Sequence, residues 1–202
     1  DDPRMPTIRG LRRRGYPAEA IRAFCREVGT TRTNSRKAIE ELESYVRRTL
    51  NATAQRRMAV TRPLKLTLLD WPTEADGSPV VEWFEVVNNP ENPADGTRLV
   101  PFTGELWIEQ DDFREVPPPK YFRLSPGREV RLRGAYLVTA RDVVKDEAGN
   151  VVEVRCSFDP ESRGGTPADG RKVKSTMHWV SAPHALDATV ALYDRLFTAE
   201  AP

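Results

Sequence analysis

Arg62-Pro63-Leu64-Lys65-Leu66-Thr67-Leu68, residues 62–68, is where the pattern of the chain changes. Three leucines alternate with a lysine and a threonine, so in an extended chain the apolar side chains share one side and the polar ones the other. A helix would scatter them around its circumference. The period of two returns at Val130 and Leu132, which alternate with Arg131 and Arg133. It returns again at Val152, Val154, Cys156 and Phe158, which alternate with Glu153, Arg155 and Ser157. These segments predict half-buried strands. Turn signals at Asp76-Gly77, Asp95-Gly96, Pro126-Gly127, Ala148-Gly149-Asn150 and Asp169-Gly170 separate them, a spacing that suits antiparallel barrels. Pro117 to Pro119 cannot donate to a ladder and predict an extended loop outside any central strand.

Upstream of residue 62 the period is helical. Gly15 follows Arg12-Arg13-Arg14, which predicts a short helix after Pro6 with cations near its negative end. Pro17 restarts the pattern; Ile21, Phe24, Cys25 and Val28 form one apolar stripe that Gly29 ends. Ile39, Leu42, Tyr45, Val46 and Leu50 form a second, with Glu43 four residues before Arg47 for an outer-face ion pair. The expected fold class is therefore α+β: a small helical bundle over residues 1–57, then antiparallel β-barrels over residues 58–202.

The net charge of +1 conceals an asymmetry along the 202 residues. Residues 1–57 carry 14 Lys and Arg against 7 Asp and Glu, a net +7, whereas residues 58–202 carry 17 against 23, a net −6. A basic helical face suits a polyanion, and the acidic remainder would have to recognise such a partner through few, well-placed cations. With 39% hydrophobic residues the chain has enough for a core, which excludes disorder. No run of about 18 apolar residues exists, and Asp1-Asp2-Pro3-Arg4 lacks the pattern of a signal peptide, so the expectation is a cytoplasmic protein with no membrane partner.

Catalytic and metal-binding patterns are absent from the sequence. Cys25 and Cys156 form no CxxC pair and are expected as buried thiols, and with only His178 and His184 no zinc set is expected. There is no glycine-rich phosphate loop, nucleophile elbow or HExxH. Asp111-Asp112 and Glu40-Glu41 read as surface carboxylates, and His178 as a packed or hydrogen-bonded strand residue. No catalytic residue, metal ligand or cofactor site is expected in this chain.

What the residues do offer is RNA chemistry. Single-stranded RNA is read by splaying its bases and offering hydrogen-bonding side chains, with guanidinium groups serving base edges and phosphates alike. Arg131 and Arg133, two apart in a strand, are expected on one face, where neighbouring aromatics such as Tyr121 would help to hold a nucleotide. Asn88-Asn89-Pro90-Glu91-Asn92-Pro93 is a rigid polar loop whose amides suit base edges, and Arg56-Arg57 sits where helices give way to strands.

These residues lie within a longer resemblance. Asp1 to Ile8 followed by Gly10-Leu11-Arg12-Arg13-Arg14-Gly15-Tyr16 resembles the segment just after the catalytic signature loop of the class I glutaminyl-tRNA synthetase family. The likeness continues in order through Met58-Ala59-Val60, Val100 to Ile108, Glu129-Val130-Arg131-Leu132-Arg133, Pro167 to Lys174, His178-Trp179-Val180-Ser181 and Leu192-Tyr193-Asp194-Arg195-Leu196-Phe197, over essentially the whole chain.

The resemblance implies a helical connector, a proximal barrel and an incomplete distal barrel that together bind the anticodon stem and loop of the tRNA for glutamine, and not DNA. The family joins glutamine to that tRNA using ATP and magnesium. Its nucleotide-binding segment and signature loop would lie upstream, in an N-terminal catalytic domain absent here, so this chain alone is not expected to aminoacylate. By the same resemblance, Arg56 matches an arginine near the anticodon, with Gln55 where the family has proline. Arg123 matches the reader of the third anticodon base, with Phe122 in place of a lysine. Arg131 and Arg133 face the first base. Asn89, or Asn92 with a one-residue slip of register, matches a base-contacting asparagine. Thr31 and Arg32 match a loop at the inner elbow of the tRNA, with Ala38 where an acidic residue is expected. Two alternatives stay open: the same-fold glutamyl-tRNA synthetase, which shares the Asp-Asp-Pro-Arg opening, and a barrel module for protein–protein interaction.

Overall fold

The computed structural model describes residues 2–33, 35–194, 196–197 and 199. The chain forms two units. One comprises Asp1–Arg56, Val87–Gly96 and Thr189–Pro202; the other comprises Arg57–Val86 and Thr97–Ala188. The helical unit thus takes in the loop after the second strand and the last stretch of chain as well as the helices.

Three helices build the first unit: α1 (Ile8–Arg13), α2 (Ala18–Val28) and α3 (Ile39–Thr53). Thr7 caps α1, its hydroxyl accepting the Gly10 N–H at 3.0 Å. Gly15, at φ 82°, ends the helix, and its N–H and that of Tyr16 close on Arg12 O and Leu11 O. Phe24 of α2 meets Tyr45 of α3 edge to face at 5.9 Å. Cys25 is exposed at the margin of the α2 stripe, so the expectation of two buried thiols holds for Cys156 alone. Glu43 also departs from expectation. Its carboxylate accepts the Tyr16 hydroxyl at 3.0 Å and lies 3.7 Å from the Arg14 guanidinium, tying α3 to the segment after α1, and among the described residues it makes no ion pair with Arg47.

The second unit is built on strands: β1 (Pro63–Leu68), β2 (Glu82–Val87), β3 (Thr97–Phe102), β4 (Glu105–Glu109), β5 (Glu129–Leu132), β6 (Leu137–Lys145), β7 (Val151–Asp159), β8 (Thr176–Met177) and β9 (Val180–Ser181). Seven of them form a sheet in the order β8-β5-β6-β7-β1-β4-β9, and β2 pairs with β3 apart from it. The three alternating segments of the sequence are β1, β5 and β7. The sheet is mixed, which corrects the purely antiparallel expectation: β1 runs parallel to β7, and β5 parallel to β8. The long β6–β7 hairpin returns β7 alongside β1 in the same direction, while β4 flanks β1 antiparallel on its other side. The edge strands β8 and β9 are two residues each, which limits the unpaired backbone they present. Residues 192–194, the start of the last motif of the resemblance, have no regular structure, and residues 195, 198 and 200–202 lie outside the described residues.

Alternation decides the core. Leu64, Leu66, Leu68, Leu106, Ile108, Val130, Leu132, Val138, Ala140, Val154 and Cys156 are all buried in one cluster, while Lys65 turns away to pair with Glu105 at 2.8 Å. Aromatic rings fill the rest. Phe102, wholly buried, lies within 4.8–5.6 Å of Trp71, Phe84, Tyr136 and Trp179. Gly104 is held to its size by Trp71, whose Cβ would lie 2.7 Å from an added methyl group. Among the described residues no helix is long and apolar enough to cross a membrane.

Because Phe102 joins four rings at once, Phe102→Ala leaves a cavity that no single neighbour fills. The expected cost is about 3–5 kcal/mol, read by urea unfolding with near-UV circular dichroism; a loss below about 1 kcal/mol would show that the ring cluster does not organise this core.

Candidate nucleic-acid interface

The arginines expected to read bases sit on well-tied backbone. Arg131 lies in β5 and Arg133 in the tight turn that follows, closed by the Ala135 N–H to Leu132 O at 2.9 Å and the Leu132 N–H to Tyr136 O at 2.8 Å. Gly134 meets the turn's need for a positive φ, at 67°. The neighbouring segment then fastens both residues: Arg131 N–H donates to Ser175 O at 2.9 Å, Arg133 N–H to Met177 O at 2.8 Å, and the buried Trp179 indole donates to Arg133 O at 3.0 Å. On that footing the exposed Arg133 guanidinium has no hydrogen bond or ion pair among the described residues. The half-buried Arg131 donates through Nε to Gly165 O, and its stem packs on Gly165, where an added Cβ would lie 3.0 Å from Arg131 Cδ. Its terminal nitrogens stay available.

A loop carries the third arginine to the same sheet. Tyr121 N–H closes on Pro118 O at 3.2 Å, with Lys120 strained at φ 65° between them. Arg123 then donates through one terminal nitrogen to Asp112, a residue only 3% exposed. Asp112, read from the sequence as a surface carboxylate, is instead buried beside Phe113 of the core. Its second oxygen, Oδ2, has no hydrogen-bond partner. Burial pushes the Asp112 carboxyl above its usual range, against the pull of Arg123. Tyr121 donates its hydroxyl to Asp111 O at 3.1 Å, and burial, with the Asp112 charge behind it, pushes that phenol up to about 12. Its Phe122 neighbour is exposed, with the Lys174 ammonium 5.4 Å from the ring centroid. The resemblance already places Phe122 where the family has a lysine, an exchange of a cation for a ring able to stack; Lys174 falls in the Pro167 to Lys174 motif, with no contact assigned to it.

Other charges in this unit are structural. Arg171 clasps Glu129 at 2.7 Å, Asp159 at 2.6 Å and Asp169 at 2.9 Å, and Arg163 pairs with Glu82 at 3.0 Å over the Phe84 ring. Together they hold the loop after β7 in place. His178, as expected, is hydrogen-bonded, its Nε2–H donating to Ala59 O at 2.8 Å. No three His, Cys, Asp or Glu converge as metal ligands among the described residues.

The remaining expected residues fall in the helical unit. Arg56 and Asn89 come together at the C-terminal end of α3, whose last turn has no basic residue of its own. The Arg56 guanidinium reaches Ala54 O at 2.8 Å, Asn51 O at 3.3 Å and Leu50 O at 3.4 Å. Asn89 is fully buried; its amide donates to Asn51 O at 3.1 Å and Ala52 O at 3.2 Å, and its carbonyl accepts the Glu91 N–H at 3.0 Å. Both side chains thus serve orphan carbonyls of a helix end, and the Asn89 amide faces α3 where the sequence suggested a base edge. Asn92, partly buried, donates to Asp95 at 2.8 Å. Thr31 donates to Thr33 O at 2.7 Å, and Arg32 is exposed with no partner among the described residues. Arg13, Arg14 and Arg47 line an open groove with Tyr16, Glu43 and Tyr193.

Two outcomes follow from these placements. Asn89→Ala removes the side-chain donor to Ala52 O and leaves Asn51 O to Arg56 alone, and is expected to cost about 1–3 kcal/mol, seen as earlier loss of far-UV circular dichroism in urea; unchanged helix stability would contradict the capping role. Asp112→Asn addresses pH. A carboxyl raised above its unfolded value of 3.8 contributes stability that is whole below that value and is lost as pH rises through the folded value. The stability of the parent relative to Asp112→Asn should therefore fall as pH rises from about 3.8 through that raised value; a rise across that window would mean that the Arg123 pairing outweighs burial.

Comparison with known proteins gives the family. The family model for tRNA synthetases class I (E and Q), anti-codon binding domain, matches residues 54–159, and a second model of the same description matches residues 176–202. The glutamine–tRNA ligase of Nitrobacter hamburgensis is 55% identical over 202 residues, all of this chain and 35% of that protein. Those of Rhodopirellula baltica and Clostridioides difficile are 54% and 48% identical, again over the whole chain and 33% and 36% of their own lengths. The chain therefore spans about a third of the length of the curated relatives it matches. With one model covering more than half of its residues, the chain belongs to the anticodon-binding domain family of the class I (E and Q) tRNA synthetases.

Proposed function

We propose that this chain is the anticodon-reading part of a glutamine–tRNA ligase, which joins glutamine to its tRNA with ATP and magnesium in the cytoplasm through a catalytic domain outside this sequence. On this reading the stranded region is a proximal barrel with part of a distal one, and the helices are the connector; the separate matches at 54–159 and 176–202 support that division. Arg123, Arg131 and Arg133 contact unstacked bases. Asn92, Thr31 and Arg32 make lesser contacts in the helical unit, Arg32 to phosphate, while Arg56 and Asn89 secure the end of α3 and hold their loop.

The observation that carries the reading is Arg133: a guanidinium with no partner among the described residues, on a backbone fastened from both sides. Binding then has to order the side chain alone and not its backbone, and the planar fork suits the paired acceptors of a base edge. That the relatives are glutamine–tRNA ligases points to the amino acid and the tRNA.

The test is a titration of the 202-residue chain with the glutamine tRNA transcript and with a transcript of altered anticodon. Arg133→Ala is expected to weaken cognate binding by about 1–3 kcal/mol, fivefold to more than a hundredfold, with much less effect on the altered transcript. Equal losses on both transcripts would reduce Arg133 to a phosphate contact. Binding should also fall linearly in log–log form with salt; indifference to salt would favour a protein-interaction module.

A further inference from the structure

Phe122 is a large apolar ring left 52% exposed in a segment that is otherwise tied down. The carbonyl of Tyr121, before it, accepts the Arg128 guanidinium. Arg123, after it, is bonded to the buried Asp112, and the Leu124 N–H closes on Asp112 O at 3.0 Å. Leu124 and Ser125 are buried. The ring is thus held out to solvent by an ordered backbone, and a loose loop does not explain its exposure.

Its surroundings are cationic. The Lys174 ammonium lies over the ring, 5.4 Å from the centroid, and makes no ion pair among the described residues. Arg123 spends one terminal nitrogen on Asp112 and keeps the others. An exposed aromatic face beside a free ammonium, with a half-free guanidinium on the next residue of the chain, supplies the three parts a nucleotide needs: a π-surface, a phosphate contact and a hydrogen-bonding group for the base edge. An apolar protein partner would find one ring amid positive charge.

We propose that Phe122 is the stacking platform for one unstacked nucleobase of the bound RNA, with Lys174 against the ring serving the adjoining phosphate and Arg123 the base edge. The inference rests on the anticodon-reading function proposed above and adds a residue and a contact mode to it. Asp112 is the positioning residue of this cradle, because its buried carboxylate fixes the guanidinium that lies next to the ring in the chain.

The experiment uses the 202-residue chain and the anticodon stem–loop of the glutamine tRNA, carrying 2-aminopurine at each anticodon position in turn, since stacking on a ring alters that base's fluorescence. The parent protein is expected to change the emission at one position beyond the free stem–loop. Phe122→Leu, which keeps an apolar side chain, should abolish that change and weaken binding about tenfold, while Phe122→Trp should restore both. Lys174→Gln should reduce the salt slope by about one unit and leave the fluorescence response in place. If Phe122→Leu alters neither emission nor affinity while Arg123→Ala still weakens binding, the platform is refuted and the anticodon reading stands. A loss of affinity with no Phe122-dependent emission change at any position also refutes stacking. If neither Phe122→Leu nor Arg123→Ala changes binding, the functional reading fails and the platform with it.

Discussion

The candidate site depends on a short backbone seam. Arg131 N–H to Ser175 O, Arg133 N–H to Met177 O and the Trp179 indole to Arg133 O join the end of β5 to the segment running through β8. Each bond is ordinary, and their arrangement is what matters. They fix the backbone of two arginines while leaving the Arg133 head group and the Arg131 terminal nitrogens unengaged. Without the seam the edge strand β8 would lack its pairing, the Lys174 segment would lose its registration against β5, and Trp179 would have no acceptor in the core.

The seam is itself held by charge. Arg171 reaches three carboxylates from β5, from the end of β7 and from its own loop, and Arg163 holds the start of that loop to β2. An acidic unit can bind a polyanion on these terms because so many of its carboxylates are neutralised locally. Glu129, Asp159, Asp169, Glu82 and Asp112 each face a guanidinium, whereas Arg133 and Lys174 pair with no carboxylate among the described residues. Local pairing, and not net charge, sets which sign the site presents.

The strand segments were legible because burial on one side imposes a period of two, and Leu66, with Leu106 and Val154 beside it, obeys that rule on both flanks. Arg131 was legible as a strand residue; Arg133 was not, since β5 ends one residue earlier and the turn at Gly134 carries it. Asp112 misled because a pair of adjacent aspartates looks solvent-bound, and only Phe113 beside it hinted at burial. Asn89 and Arg56 were legible as polar groups but not as helix-end partners. Their chemistry suits a base edge as well as a helix end, and α3, lacking basic residues in its last turn, claims both.

Periodicity, turn glycines and the order of motifs therefore determined the division into a helical and a stranded part, the core faces and the family, since all of these follow from neighbours along the chain. Which arginines are spent and which are free was decided only by the tertiary structure. A guanidinium's availability depends on carboxylates and carbonyls brought to it from distant segments: Gly165 to Arg131, Asp112 to Arg123, and Glu129 to Arg171 from 42 residues away. Folding alone chooses those partners.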